Sequence, residues 1–328
     1  MWLLQSLLDD CKARVRTLFV DVRKAFDTVS HVSIQKAALR IGFPPSLVEY
    51  IGCLYADSTT QLRVGGRLSD WIRPRRGVRQ GDPLFPLLFI AVMDWVLSGL
   101  DRQIGVRLRG GGLLVNHLAF ADDVALVSQT PEGMKRLLSE HEHQLGLVGL
   151  TPNASKSASL RIDVLGRKKM WVCNSDPYLT LDGNTVPTID ITGAYKYLGI
   201  PTGVGREVGN VTTRKLDYQL EQLSKAPLKP EQRIYFLRLH IIPGLYHELV
   251  LGRYTIGLLV SLDRKIRAAV NSMWVHVPHD LPKGFFHAHS ADGGLGLPQL
   301  AVQVPLMRRD RVERLYGRNT GANGRDQS

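Results

Sequence analysis

The sequence predicts an α+β protein: a sheet domain to about residue 203, followed by a helical region. Three observations lead there. VRTLFVDV at 15–22, VNHLAF at 115–120 and VALVS at 124–128 read as largely apolar strands, interrupted by Asp21 in the first and separated by Asp122 and Asp123 in the other two. The helical-period segments between them do not alternate regularly with strands, so a simple parallel αβ repeat does not fit. The glycine-rich stretch PTGVGREVGN at 201–210 marks a change of character, and helical periods dominate beyond it.

Taken in order, the first strand precedes RKAFDTVSHVSIQKAALRIG (23–42), whose apolar residues recur at helical spacing until Gly42 and the Pro44–Pro45 pair. SLVEYIGCLYAD (46–57) reads as a second helix. TTQLRV and DWIRP are strand candidates joined through GGRL as a hairpin. DPLFPLLFIAVMDWVLSGL (82–100) reads as a long buried helix, with Pro83 tolerable near its start. A strand–turn–strand hairpin is the simplest assignment around Asp122–Asp123. EGMKRLLSEHEHQLGLVG (132–149) predicts a helix, TPN a turn, SASLRI a strand and YKYLGI a short strand. TRKLDYQLEQL, PEQRIYFLRLH and TIGLLVSLDRKIRAAVNSMW are helical, and the polar tail RNTGANGRDQS is expected to be disordered.

With 328 residues and 44% hydrophobic content, the chain is long enough for one sizeable core and a smaller second one. No apolar run is long enough to cross a bilayer, and the opening MWLLQSLLDDCKARVR lacks a signal-peptide cleavage pattern, so no membrane partner is expected. Cys11, Cys53 and Cys173 lie far apart, which argues against a disulfide framework or zinc finger and fits a reducing, intracellular compartment. The histidines of HVPHDLPKGFFHAH have no cysteine partners at finger spacing. A net charge of +12 suits a polyanionic partner without proving one.

Asp21 on the first strand and Asp122 at the hairpin apex would meet at one sheet edge if their strands are neighbours, with Asp123 beside them. Hard divalent cations take such oxygen ligands, and two ions roughly 3.5–4 Å apart serve phosphoryl transfer. Adjacent buried carboxylates repel unless a cation compensates. The bland alternative for Asp122–Asp123 alone is a solvent-exposed turn.

The surrounding strings decide between these readings. FVDVRKAFDTVSH, RRGVRQGDPLFPLLF, AFADDVAL, GLTPNASKSASL and YKYLGI, in this order, resemble the motifs of the reverse-transcriptase domain of non-LTR retrotransposons, most closely the elements that insert site-specifically into ribosomal RNA genes. DGGLGLPQL matches a further recurring segment of these elements. The resemblance implies a right-hand polymerase palm with partial fingers over residues 1–203, a helical thumb-like region over 204–275 and a C-terminal extension over 276–328. It implies that Asp21 and Asp122, with the backbone carbonyl of Val22, hold two Mg²⁺ ions, for which Mn²⁺ can substitute, and that Asp123 supports the site. It gives Lys156 the pyrophosphate leaving group, its alternative being a solvated strand-edge lysine. Phe26 becomes a gate against a ribose 2′-hydroxyl, its alternative being a core aromatic. Gln80, Gly81 and Pro83 shape the floor under nucleotide and template; Arg79 and the Arg75–Arg76 pair meet phosphates or stay on the surface. Arg264, Lys265 and Arg267 would track a duplex.

The reaction so implied is transfer of deoxynucleotides from dNTPs to a DNA primer 3′-hydroxyl at a nicked target, templated by RNA, in the nucleus. Asp21 and Asp122 should then share a cavity with Phe26 and Lys156. Phe85 and Ile90 depart from the usual GDPLSPLLFN pattern, the first adding bulk and the second removing a polar amide. The short stretch before Asp21, together with the lack of a cysteine/histidine knuckle or endonuclease domain in 204–328, suggests a piece of a larger polyprotein that also carries an endonuclease. The alternative is a catalytically incomplete or degenerate fragment that at most binds RNA or DNA.

Overall fold

In a computed structural model of the chain, all six residues of strand Val15–Val20 (β1) are buried. β1 lies at the centre of a five-stranded sheet, paired on both sides, and its one charged residue, the buried Arg16, is matched by Asp163 at 2.6 Å. The structure describes residues 4, 15–78, 81, 83–107, 114–165, 170–203, 208–252, 254–271 and 282–320. Cys11 and the tail beyond 320 lie outside them. The chain divides into two units, Met1–Ile191 and Thr192–Ser328.

In the first unit, β1 leads to helices Ala25–Thr28 (α1), His31–Arg40 (α2) and Pro45–Ala56 (α3). A small hairpin follows, Arg63–Val64 (β2) with Arg67–Leu68 (β3), then the helix Leu84–Ser98 (α4). Strands Val106–Arg107 (β4) and Leu114–Val115 (β5) pair with each other. His117–Phe120 (β6) and Asp123–Ser128 (β7) form the expected hairpin, and Pro131–Leu147 (α5) follows. Ala158–Leu165 (β8), Met170–Cys173 (β9), Thr180–Leu181 (β10) and Asn184–Thr185 (β11) complete the unit.

The sheet order is β6-β7-β1-β8-β9, antiparallel throughout. Leu18 and Val20 of β1, with Val124 and Leu126 of β7, belong to the core that also holds Ile34, Leu88, Phe89, Val92 and Leu137 from the helices. Burial of these side chains, worth roughly 1.5–3 kcal/mol each, fixes which face of the sheet the helices cover.

Three local expectations change. The segment 23–42, read as one helix, breaks at Val29 and Ser30. Ser30 leaves the helix to donate its N–H to the Val148 carbonyl (3.1 Å), while its hydroxyl accepts from Ser33 N–H (3.3 Å) and caps α2. The hairpin after α3 is shorter than TTQLRV and DWIRP suggested, although an isolated bridge, Thr60 with Ile72, extends it. Phe85, where bulk was expected, is a core side chain: it is 1% exposed, its ring 5.2 Å from that of Tyr55, which stacks on His31 at 4.2 Å. Ile90, 50% exposed, lies on the solvent side of α4.

One buried group yields a direct test. His141 of α5 is fully buried, and neither ring nitrogen has a hydrogen-bond partner. Burial, with a smaller contribution from His117, pushes its pKa down to about 4. The unfolded chain therefore takes up a proton that the native state refuses, and stability falls as pH drops from about 6.5 towards 4. His141→Leu is expected to raise stability at pH 7 by about 1–2 kcal/mol and to flatten that acid slope. Urea unfolding at pH 7 and pH 4.5 reads both effects; an unchanged slope would contradict the assignment.

The second unit opens with the hairpin Tyr195–Tyr197 (β12) and Ile200–Thr202 (β13). Helices Val208–Lys225 (α6), Pro230–Phe236 (α7), Ile242–Leu251 (α8), Ile256–Ala269 (α9), Lys283–His287 (α10) and Leu300–Thr320 (α11) follow. A π-helical turn, Leu237–Ile241, joins α7 to α8. Asp263 of α9 caps α11 by accepting from the N–H groups of Leu300 (2.8 Å) and Ala301 (3.0 Å). Arg308 of α11 donates to the carbonyls of Leu249, Val250 and Gly252 at the end of α8. Among the described residues, no helix is long and apolar enough to cross a membrane.

Candidate active site

The antiparallel register pairs Val20 with Val124; continuing it by one step brings Asp21 level with Asp123. Strand alternation then turns Asp21 to the face opposite Leu18 and Val20. Phe120 pairs with Asp123, leaving Ala121 and Asp122 as a two-residue turn. Ala121 has φ 53°, a left-handed value at the first turn position, where hairpins of this kind usually take glycine. That turn carries Asp122 to the end of the sheet where Asp21 stands.

A cavity of about 590 Å³ opens there, lined by Asp21, Val22, Arg23, Lys24, Phe26, Asp27, Asp122, Asn153 and Lys156 among others. Asp123 lies beside it. Its carboxyl pKa is raised, first by burial and then by the charges of Asp122 and Asp21. The three acids thus share one field.

A polar loop, 151–157, holds Asp21 from the other side. Val22 forms an antiparallel bridge with Pro152, made by Asn153 N–H donating to the Asp21 carbonyl (2.8 Å) and Arg23 N–H donating to the Thr151 carbonyl (2.9 Å). In such a pairing the backbone groups of Val22 itself point away from the loop. Asp21 N–H donates to Ser157 Oγ (3.0 Å), and Asn153 Nδ2 donates to Asp21 Oδ2 (3.2 Å). Lys156 is exposed at the cavity. Asn153 and Ser157 were missing from the sequence reading of the site; both stood inside TPNASKS, and only the 132- and 136-residue separations of their bonds to Asp21 hid them.

Phe26 is half-buried, so it is both a core aromatic and a cavity wall: its ring lies 4.3 Å from that of Phe89. The segment that follows Arg76 crosses over α1, with Val78 N–H donating to the Phe26 carbonyl (2.7 Å) and Gly77 N–H to the Val29 carbonyl (2.8 Å). Gly81 has φ 97°, and Pro83 sits at the N-cap of α4. Arg79 and Gln80 lie outside the described residues. Arg75 and Arg76 are exposed. In the second unit Arg264 is exposed, and Lys265 is paired with both carboxylate oxygens of Asp217 at 2.7 Å.

The donor set at the cavity is hard oxygen: the carboxylates of Asp21, Asp27 and Asp122 and nearby backbone carbonyls. Among the described residues, no group of three or more His, Cys, Asp or Glu side chains is placed to hold an ion. Mg²⁺ is commonly bound by one or two carboxylates, with waters and substrate phosphates filling the remaining positions. The residues present fit an open site of that kind, not a closed protein cage.

The family follows from comparison with known proteins. The family model described as "Reverse transcriptase (RNA-dependent DNA polymerase)" matches residues 5–202, and the chain belongs to that family. It is a reverse-transcriptase domain related to the Pol polyproteins of R2-type non-LTR retrotransposable elements. The Pol polyprotein from element R2DM of Drosophila melanogaster is 38% identical over 297 residues, covering 90% of this chain and 28% of that protein. The R2 polyprotein of Nasonia vitripennis is 36% identical over 321 residues, covering 97% of this chain and 31% of its own length. The chain thus spans less than a third of these two curated relatives. Among solved structures, telomerase from Candida albicans aligns over 83% of this chain and 43% of its own, at 13% identity and a TM-score of 0.40, a likeness too loose to define the fold.

Proposed function

We propose that the chain carries the RNA-directed DNA polymerase chemistry of a larger Pol polyprotein. It adds deoxynucleotides from dNTPs to the 3′-hydroxyl of a DNA primer at a nicked nuclear target, copying RNA, with an endonuclease elsewhere in the same polyprotein. The observation that carries this reading is the single cavity lined by Asp21, Asp122, Phe26 and Lys156. Two bound Mg²⁺ ions would supply charge neutralisation at the attacking and leaving oxygens, and Asp21, Asp122 and the Val22 carbonyl are the groups that would hold them. Asp123 adds negative potential from the hairpin. Lys156 offers a proton or a positive charge to departing pyrophosphate. By their place in the motif, Gln80, Gly81 and Pro83 would contact nucleotide and template, and Arg79 would meet phosphate.

The test is extension of a DNA primer annealed to RNA, with Mg²⁺ and dNTPs, by the polyprotein that carries this chain. RNA-templated, dNTP-dependent extension that disappears with Asp21→Asn is expected; extension persisting in that variant would defeat the proposal. The Phe26 side chain gives a second measurement. If its ring excludes a 2′-hydroxyl, Phe26→Val should reduce the preference for dNTP over rNTP on the order of 10²-fold, the scale at which shape alone rejects an added hydroxyl. A preference unchanged in a folded Phe26→Val protein would return Phe26 to a purely packing role.

A further inference from the structure

The polymerase reading gives no role to Asn153, a side chain at the cavity. Asn153 stands against Asp21, and its amide orientation is settled by chemistry on both ends. A carboxylate only accepts, so the amide atom 3.2 Å from Asp21 Oδ2 is Nδ2. At the other end, Ser155 Oγ donates to Asn153 Oδ1 (2.9 Å). Ser157 closes the circuit, its hydroxyl accepting from Asp21 N–H (3.0 Å) and donating to the Asn153 carbonyl (2.8 Å). The Asn153 N–H meanwhile donates to the Asp21 carbonyl (2.8 Å). A turn that merely joined α5 to β8 would not need the one side-chain bond among these that reaches the cavity carboxylate, from Asn153 to Asp21.

We propose that Asn153 is a positioning residue for Asp21: its amide, locked by Ser155, engages one carboxylate oxygen and holds the other towards the cavity. The same loop carries Lys156, whose N–H donates to the Asn153 carbonyl (3.2 Å). The positioning role rests on the polymerase reading of the cavity and deepens it.

The test uses the 328-residue chain and Mn²⁺ alone, with free Mn²⁺ followed by electron paramagnetic resonance. Outer-shell partners of metal ligands typically contribute about 10–100-fold in affinity. Asn153→Ala is expected to weaken Mn²⁺ binding by that factor, and Ser155→Ala, which leaves Asn153 in place but frees its amide, by less in the same direction. Asp21→Asn is the reference and should abolish binding at this site. In extension assays Asn153→Ala should lower kcat while the KM for dNTP stays near the parent value.

Mn²⁺ affinity unchanged in both folded variants, while Asp21→Asn loses it, would overturn the role of Asn153 alone. A raised KM with kcat intact would also overturn it, because Asn153 would then touch the nucleotide. Mn²⁺ binding indifferent to Asp21→Asn would instead defeat the reading of the cavity.

Discussion

Replacing Asp122 by asparagine is expected to cut primer extension on the order of 10²–10³-fold while leaving the protein more stable, not less. The first part follows from position. Asp122 lines the cavity opposite Asp21, and losing a group that acts electrostatically where charge develops costs a factor of that size. The second part follows from repulsion. Asp123 is held above its ordinary carboxyl pKa by burial and then by Asp122 and Asp21, so its ionised form is disfavoured by the fold. Removing the Asp122 charge relieves that penalty above the ordinary carboxyl pKa, and the gain fades as acid protonates Asp123 in any case. Asparagine also suits a hairpin turn as well as aspartate does. Opposite signs for activity and stability mark a functional acid; a packing role would lower both together. Asp123→Asn should cost less activity, about 10-fold, because Asp123 pairs with Phe120 in the ladder and does not line the cavity. Chemical unfolding at pH 7 beside the extension assay checks both signs, and an Asp122→Asn protein that is less stable yet active would refute the account.

What could be read in the sequence follows the range of the interactions. The β6–β7 hairpin was legible because its apolar flanks and acidic turn are contiguous, and Asp21 because it breaks an otherwise apolar strand. The break at Ser30 had a local sign, the Ser30–Ser33 capping pair, but its cause is a bond to Val148 across 118 residues of chain. In the second unit, Pro243 and Pro305 hid helices α8 and α11. Proline in a helical period normally signals an end, yet Pro243 occupies the first turn of α8, and α11 continues through Pro305. The site divided the same way. Its acids announce themselves by type, whereas Asn153 and Ser157 look like ordinary turn residues until the fold brings them to Asp21.

Gly77→Ala is expected to be a strongly damaging small substitution in the first unit, because it combines two independent costs. Gly77 has φ 90°, which for an L-residue costs of order 1–3 kcal/mol. A Cβ at this position would also lie 2.7 Å from the Asp27 carbonyl oxygen and 2.9 Å from the Asp27 Cα. These are backbone atoms of α1 and cannot swing aside like a side-chain end, so an overpacking term of about 1–3 kcal/mol adds to the strain. The sum, roughly 2–6 kcal/mol, corresponds to a fall in Tm on the order of 10 °C for a unit of this size. Gly66 supplies the control: its φ is 82°, but nothing lies within 4 Å of an added Cβ, so Gly66→Ala should show the conformational cost alone. The functional consequence follows from what Gly77 holds together. Its N–H and that of Val78 tie the segment entering Arg79–Pro83 to α1, beside Phe26. His31 Nε2 lies 3.1 Å from the Gly77 carbonyl on the other side. Displacing this crossing moves the proposed nucleotide floor relative to the Phe26 ring, so the surviving folded protein should show a raised KM for dNTP. Equal Tm values for Gly77→Ala and Gly66→Ala would mean that the crossing yields freely, and the link from Gly77 to nucleotide binding would fail with it.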